Sequence, residues 1–148
     1  MRYRLAPTRP EDEAWLEQLR RAVYRDLFDA TWGGWDEDRH QRHFAACLER
    51  GEICAIEVDG TRVGMVQLFE HIDAIEIGEI QIEPIYQSRG IGTQVLRDTI
   101  ARAHAQRKKV TLRTGLKNHR AFELYRRLGF ERVAQTETQD HMECKPEP

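Results

Sequence analysis

The most informative stretch for chemistry is a loop with two glycines, QSRGIG at residues 87–92, which follows an apolar strand pattern and opens a helix pattern. Glycine lets a backbone approach an anion closely and adopt positive φ angles. Successive backbone N–H groups at a helix start favour a phosphate, and Arg89 adds a positive charge. The loop lacks the G-K-[ST] of a Walker sequence and the third glycine of a dinucleotide-binding fingerprint. Taken alone, it fits an anion site and an ordinary strand-to-helix turn equally well.

A second segment, LKNHRAFELYRRLGF at residues 116–130, combines a helix start with an inward-facing tyrosine. Asn118 is placed to cap the helix at its N-terminus, and Gly129 to end it. Tyr125 belongs to the apolar set of this helix, so its simplest role is that of a core aromatic side chain.

Carboxylates line the strand pattern of residues 74–84, AIEIGEIQIEP. The period of two places Glu76 on the face of Ile80 and Ile82, and Glu79 on the opposite face. A bulge would reverse this facing. Both glutamates are candidate proton acceptors, and both also fit the description of solvated strand residues.

A fold that alternates helices and strands must position these segments. Apolar residues three and four apart predict two N-terminal helices, the first ended by Gly33-Gly34 and the second covering 36–49. Asp59-Gly60 predicts a tight hairpin. The expected order is β-α-α-β-β-β-α-β-α-β-β, a mixed α/β fold with helices on the sheet faces and one domain over residues 1–148. The predicted strands are 3–6, 53–58, 62–70, 74–84, 108–114, 131–136 and 138–144, and the last two helices begin near 92 and 118.

Composition and charge limit the function classes. The chain has 148 residues, a net charge of -2 and 32% charged residues of both signs, which predicts a folded domain. Residues 1–74 hold 10 arginines and 15 acidic residues, whereas residues 75–148 hold 13 basic and 10 acidic residues. The near-neutral total argues against strong non-specific nucleic-acid binding. Because no apolar run approaches the roughly 20 residues of a membrane span and no signal-peptide pattern is present, we expect a soluble cytoplasmic protein.

Cysteine and histidine spacing gives little support for a metal site. Cys47, Cys54 and Cys144 form no metal-like spacing and are expected to be reduced thiols. His40 and His43 are three apart on a predicted helix, but a pair without thiolate or carboxylate support is a weak zinc site. A solvated helix face is the preferred interpretation.

Together, the two glycine- and tyrosine-bearing segments resemble the GNAT superfamily of acyl-CoA N-acyltransferases over residues 76–130. The resemblance rests on Q-x-x-G-x-G after a strand ending in I-x-P, followed about 30 residues later by N-x-R-A-x-x-x-Y-x-x-L-G-F. It implies a fold in which strands four and five splay apart to admit a cofactor arm. The implied cofactor is acetyl-CoA, and the residues implied to bind it are Ile80, Gln81, Ile82, Gln87, Ser88, Arg89, Gly90, Ile91, Gly92, Thr93, Asn118 and Tyr125.

The resemblance also implies individual roles for these residues. The loop of residues 87–92, with Thr93, would hold the CoA pyrophosphate through backbone N–H groups. The strand end around Ile82 would pair with the pantetheine amides, as a strand edge accepts another strand. Asn118 would contact the pantetheine arm, and Tyr125 would protonate the leaving thiolate.

The implied reaction is direct transfer of an acetyl group to a primary amine, expected to belong to a small molecule. Since such an amine has a pKa near ~10.4, a general base must remove its proton. Glu76 is the first candidate base and Glu79 the second, with His71 and His141 as outside candidates. A backbone N–H would stabilise the oxyanion, and neither a metal nor a covalent enzyme intermediate is required.

The acceptor is expected near the aromatic connection between the first two helices, where members of the family commonly have their acceptor pocket. Phe28, Trp32 and Trp35 are the predicted substrate-binding residues, and the two tryptophans would form an apolar or cation-binding wall. The alternative is that these tryptophans only cap the core.

The sequence also fits functions other than small-molecule acetylation. A non-catalytic acyl-CoA-binding or sensing module would share the fold, and a protein or peptide N-acetyltransferase would share the chemistry. Homodimerisation is also possible for such a fold, whereas nucleic-acid and membrane partners are not expected.

Overall fold

The computed structural model describes residues 2–148, and its elements follow the predicted order β-α-α-β-β-β-α-β-α-β-β. A short 3-10 turn precedes the first helix and another follows the fourth strand. The predicted mixed α/β class is therefore confirmed. The elements are β1 (Arg4–Pro7), α1 (Glu13–Trp32), α2 (Glu37–Arg50), β2 (Ile53–Val58), β3 (Thr61–Glu70), β4 (Ala74–Ile82), α3 (Ile91–Ala105), β5 (Lys109–Gly115), α4 (His119–Arg127), β6 (Glu131–Gln135) and β7 (Gln139–Cys144).

The chain divides into two compact units, and strands β3 and β4 each have residues in both. The first unit comprises the chain up to Leu68 together with Glu79–Gly92, and the second comprises Phe69–Gly78 and Thr93–Pro148. The seven strands within the described residues hydrogen-bond in the order β1-β2-β3-β4-β5-β7-β6. The prediction of one domain over the whole chain stays a prediction.

In the first unit, two antiparallel pairings join β1 to β2 and β2 to β3. Asp59 and Gly60 connect β2 to β3 with φ values of 51° and 77°. A type I′ hairpin turn requires positive φ at both central positions, so this turn is the one that the Asp-Gly pair predicted. The apolar stripes of α1 and α2 meet the strands in one buried cluster of Leu16, Leu19, Phe44, Cys47, Ile53 and Met65.

In the second unit, β4 and β5 run parallel, and β7 pairs antiparallel with both β5 and β6. The parallel ladder joins Ala74–Ile77 to Lys109–Leu112, although β4 continues to Ile82 and β5 to Gly115. A ladder that is shorter than both of its strands is what the predicted splaying of strands four and five requires.

The cysteines are free thiols within hydrogen-bonded or packed surroundings. Burial raises the pKa of each thiol, and at Cys47, where the Glu79 carboxylate acts in the same direction, the pKa rises to about 11. Cys47 and Cys144 are fully buried, whereas Cys54 is partly exposed.

The helices of residues 2–148 lack the combination of length and apolar composition that a membrane-crossing segment needs.

A close approach of two strands makes Gly64 a sensitive position. A Cβ atom there would overlap the carbonyl oxygen of Gln81 and would lie 3.0 Å from Ile82 Cδ1. Because the obstacle is backbone, we expect Gly64→Ala to lower the free energy of unfolding by about 3 kcal/mol, measured by urea denaturation. Gly92→Ala is the matched control, since its Cβ would meet Ile82 at an ordinary 3.5 Å. A loss below about 1 kcal/mol for Gly64→Ala would contradict the prediction.

Candidate functional site

The two-glycine loop connects the end of β4 to the start of α3. Gln87 Nε2 donates a hydrogen bond to the carbonyl oxygen of Ile82 at 2.9 Å, which ties the loop to the strand. Ser88 and Gly90 are exposed and have φ values of 62° and 84°, in the left-handed region. The helix begins directly afterwards at Ile91. The backbone thus turns sharply just before a helix start, which is the arrangement that the sequence predicted for an anion-binding loop.

The predicted cofactor residues range from exposed through half-buried to buried. Arg89 is exposed, and its guanidinium carbon lies 5.6 Å from the centre of the Tyr86 ring. Gln81 and Ile91 are only 3% and 4% exposed, so their contribution to a cofactor site would come from the backbone. Ser88, Arg89 and Gly90 are the exposed part of the loop.

Side chains near the end of β4 alternate between two faces, as the period of two predicted. Glu83 accepts a hydrogen bond from Trp15 Nε1 of α1 at 3.2 Å. Ile82 faces the other way, where its side chain meets Gly92 in the first turn of α3. Glu79 lies on the face of Glu83, because it too contacts α1.

The Glu79 carboxylate, the second candidate base, is held by two side chains of α1. Arg20 Nη1 donates to Oε1 at 3.3 Å, and the Tyr24 hydroxyl donates to Oε2 at 2.7 Å. Arg20 Nη2 also lies 3.4 Å from His43 Nδ1. The sequence carried one signal for this cluster, since Arg20 and Tyr24 are four apart and therefore share a helix face. This spacing does not indicate that their partner is Glu79.

The predicted aromatic wall is a packed cluster in which arginines already lie on the tryptophan rings. Phe28 is 2% exposed and stacks on Trp35 with 4.4 Å between ring centroids, while Trp32 meets it edge-on at 4.8 Å. The guanidinium of Arg39 lies 4.2 Å from the Trp32 ring centre, and that of Arg21 lies 5.8 Å from the Trp35 ring centre. Any contribution of Phe28 to acceptor binding would be indirect, whereas Trp32 and Trp35 are partly exposed. Their binding role stays a prediction.

His40, which adjoins this cluster, is fully buried with 0% exposure, whereas His43 is exposed. The interpretation of the two histidines as a solvated helix face is therefore wrong for His40, whose ring packs against aromatic neighbours. Its ring lies 5.1 Å from that of Trp35 and 6.0 Å from that of Phe44. Within residues 2–148, neither of its ring nitrogens has a hydrogen-bond partner, and a Glu17 carboxylate oxygen lies 3.8 Å from Nε2. Burial, reinforced by two neighbouring arginines, lowers the pKa of His40.

This buried histidine makes stability depend on pH. In the unfolded chain His40 titrates near ~6.5 and in the folded protein below that value, so the unfolded state binds more protons as the pH falls. We expect the free energy of unfolding to decrease between pH ~7.5 and ~5.5 by at most about 1.4 kcal/mol per pH unit for each such histidine. His43, whose pKa is also lowered, acts in the same direction.

Chemical denaturation of His40→Leu across that interval tests the expectation. The variant should show a shallower dependence than the wild type, and equal slopes would contradict the assignment. His119→Gln, which replaces an exposed histidine, is the control. The interval stays above the range in which Glu17 and Glu37 titrate, since their carboxyl pKa values are lowered from 4.5.

Glu76, the first candidate base, lies in the paired part of β4, opposite Thr111 of β5. Its Oε1 is 2.9 Å from Nε2 of His71, which lies in the turn before β4. The two side chains are 27% and 49% exposed. A solvent-accessible carboxylate–imidazole pair has the groups needed to accept a proton and pass it to water. His71 was an outside candidate in the sequence, and the structure brings it to Glu76.

Asn118 caps α4 at its N-terminus, and Tyr125 lies within this helix seven residues further along the chain. Asn118 Oδ1 accepts a hydrogen bond from the backbone N–H of Ala121 at 3.3 Å, so the predicted N-cap is present. Tyr125 is 9% exposed and meets Phe130 edge-on, with ring centroids 5.6 Å apart. Asn118 therefore precedes the first helical residue, whereas Tyr125 lies in the buried face of α4.

Metal coordination finds no geometric support in the described part of the chain. Within residues 2–148, no three His, Cys, Asp or Glu side chains are grouped so that they could hold a metal ion. The weak zinc pair of His40 and His43 therefore receives no third ligand among these residues.

Comparison with known proteins gives a consistent family. A sequence model described as the acetyltransferase (GNAT) family matches residues 14–130. An uncharacterized N-acetyltransferase of Methanocaldococcus jannaschii is 31% identical over 73% of this chain and 55% of that protein. The spermidine N(1)-acetyltransferase of Escherichia coli K12 is 28% identical over 86% of this chain and 72% of that protein. The match thus spans little more than half the length of the archaeal relative.

A solved structure agrees in fold. The crystal structure of the PaiA N-acetyltransferase from Thermoplasma acidophilum in complex with coenzyme A superimposes with a TM-score of 0.73. It covers 98% of this chain and 99% of that chain at 17% sequence identity. At this identity the likeness concerns the fold.

Proposed function

Since the chain belongs to the acetyltransferase (GNAT) family, we propose that it transfers an acetyl group from acetyl-CoA to a primary amine of a small molecule. The observation that carries the proposal is the two-glycine loop at the head of α3. Gln87 ties this loop to β4, and Ser88 and Gly90 turn the exposed backbone just before the helix start. Such a turn suits the pyrophosphate of CoA, because backbone N–H groups and the positive helix end both favour anions.

The cofactor is bound mainly by backbone groups in this proposal. The N–H groups of residues 88–92 hold the pyrophosphate, with Thr93 beside them and Arg89 adding a positive charge. The backbone of residues 80–82 pairs with the pantetheine amides. Asn118 uses its Oδ1 to cap α4, so its side-chain NH₂ group is the donor offered to the pantetheine arm.

Proton transfers complete the reaction. Glu76, paired with His71, removes a proton from the acceptor amine, whose lone pair then attacks the thioester carbonyl carbon. The tetrahedral oxyanion is stabilised by a backbone N–H group. When it collapses, the carbon–sulfur bond breaks and Tyr125 donates a proton to the departing thiolate. The attacking nitrogen loses its second proton, which passes through water to Tyr125 and restores the hydroxyl group. The products are the acetylated amine and CoA, and the proposal requires no metal.

A small cationic amine is the acceptor that the chemistry favours. The first 74 residues hold 15 acidic side chains against 10 arginines, which attracts a positively charged molecule. Trp32 and Trp35 are half-buried, and the ring surface that Arg39 and Arg21 leave uncovered is the apolar surface offered to the acceptor. The relative from Escherichia coli is named for spermidine, a polyamine.

An acceptor screen tests this function. Purified protein is incubated with acetyl-CoA and with polyamines, amino acids, other small amines and peptides with free N-termini, and acetylated products are detected by mass spectrometry. We expect saturable acetylation of at least one small amine. Acetylation confined to peptides would show that the acceptor is a peptide rather than a small molecule. Binding of acetyl-CoA without any product would indicate a sensing module. Absence of both binding and product would overturn the proposed function.

A further inference from the structure

A polar cluster in the first unit joins α1, α2 and β4 around the Glu79 carboxylate. The two carboxylate oxygens are engaged separately, Oε1 by Arg20 Nη1 at 3.3 Å and Oε2 by the Tyr24 hydroxyl at 2.7 Å. Arg20 also lies with its guanidinium carbon 4.7 Å from the centre of the Tyr24 ring. Donors from one helix therefore fix both ends of the carboxylate.

Burial within the cluster increases from Glu79 to Arg20. The Arg20 side chain is 6% exposed, and its Nε is buried without a hydrogen-bond partner among the described residues. The Glu79 side chain is 24% exposed, so solvent reaches the carboxylate more readily than the guanidinium. A buried ion pair of this kind is poor evidence for stability, because a well-packed apolar pair is often as stable or more stable. Stability alone therefore does not account for this ion pair, whose carboxylate is its more exposed member.

His43 lies at the outer edge of the cluster, where it contacts Arg20 as a neutral hydrogen-bond acceptor. The Arg20 guanidinium can only donate, so His43 Nδ1 accepts at 3.4 Å and the imidazole proton lies on Nε2. Partial burial and the adjacent Arg20 charge both lower the pKa of His43, which favours this neutral form. The cluster thus contains one cation and one anion, held by neutral partners.

We propose that Glu79 orients the acceptor amine by accepting one of its N–H hydrogen bonds, and that Arg20 and Tyr24 are positioning residues that hold the carboxylate for this purpose. The inference rests on the proposed acetyl transfer and assigns Glu79 a role other than that of the base. Each carboxylate oxygen has a second lone pair, so an N–H group adds to the existing contacts without breaking them. The substrate class is therefore a primary amine that approaches Glu79 with an N–H bond directed at the carboxylate.

Steady-state kinetics of Glu79→Gln and Tyr24→Phe test the assignment with the amine that the wild type acetylates. We expect the acceptor KM to rise about 5- to 20-fold in both variants, since each loses a hydrogen bond to or at a charged group. The kcat should stay within about threefold, and the acetyl-CoA KM and the shape of the pH profile of kcat/KM should not change. Glu49→Gln, which alters an exposed glutamate of α2, is the control.

Two results would overturn the inference. A fall of kcat by about 100-fold in Glu79→Gln, with loss of the acidic limb of the pH profile, would make Glu79 the base. Acceptor KM values within about twofold of the wild type in both variants would leave Glu79 without a role in acceptor binding. Thermal unfolding of Tyr24→Phe excludes a folding defect. Failure of the proposed function itself is distinguishable, because it would be seen in the wild type as absence of turnover.

Discussion

Tyr125→Phe should lower kcat by about 100-fold or more while leaving the KM for acetyl-CoA nearly unchanged. A general acid contributes roughly 10² to 10⁴ in rate, and phenylalanine removes the hydroxyl that is proposed to protonate the departing thiolate. The ring itself stays, so the edge-on packing on Phe130 at 5.6 Å and the fold are preserved. Steady-state kinetics with saturating acceptor measures the change.

The control for this tyrosine is Tyr3→Phe, the same chemical change at a position just before β1. It should leave kcat within about twofold of the wild type. Unchanged turnover in Tyr125→Phe would reduce Tyr125 to the core aromatic residue that the helix pattern alone describes. The thermal midpoints of both variants show whether any loss comes from unfolding.

Glu76→Gln should lower kcat/KM by about 100-fold or more at neutral pH, with a deficit that shrinks as the pH rises. A free alkylamine with a pKa near ~10.4 is almost fully protonated at pH 7, and a glutamine cannot accept its proton. Near pH 10 the amine loses the proton without assistance, so variant and wild type should converge. A pH series of initial rates at subsaturating acceptor measures the effect.

Glu49→Gln again provides the comparison, because it removes an exposed carboxylate from α2. A constant deficit of Glu76→Gln across the whole pH series would indicate lost binding or structure rather than a lost base. Normal rates at neutral pH would transfer the proton-accepting role to another group. Glu79→Gln, analysed in parallel, distinguishes the two strand glutamates.

Local signals in the sequence were sufficient for the fold. Apolar spacing defined α1 and α2, Asp59-Gly60 defined the hairpin, and the alternating isoleucines defined β4. These patterns depend on neighbours within a few residues, so they can be recognised without knowledge of the tertiary structure. The helix-capping residues Asn118 and Gly129 could also be predicted, because a cap depends on a single side chain or on a residue that adopts positive φ.

Contacts between segments far apart in the chain could not be predicted from the sequence. Arg20 and Glu79 are 59 residues apart, and no periodic pattern indicates that a buried arginine on α1 would meet that carboxylate. The contact of Arg39 with the Trp32 ring could not be predicted from the sequence either, since an arginine in a helix is ordinarily a solvated residue. Side chains of this length reach partners that only the packed structure selects.

The low reactivity of the cysteines matters for the proposed acetyl transfer, because each turnover of that reaction would release CoA, which is a free thiol. Exchange with the disulfide form of CoA requires a thiolate on the protein, and a pKa of about 11 leaves roughly one Cys47 side chain in ten thousand ionised at neutral pH. Cys54 and Cys144 also have raised pKa values. The protein should therefore resist forming mixed disulfides with the disulfide form of CoA, and a thiol-reactive dye added to the native protein should report released CoA above a low protein background.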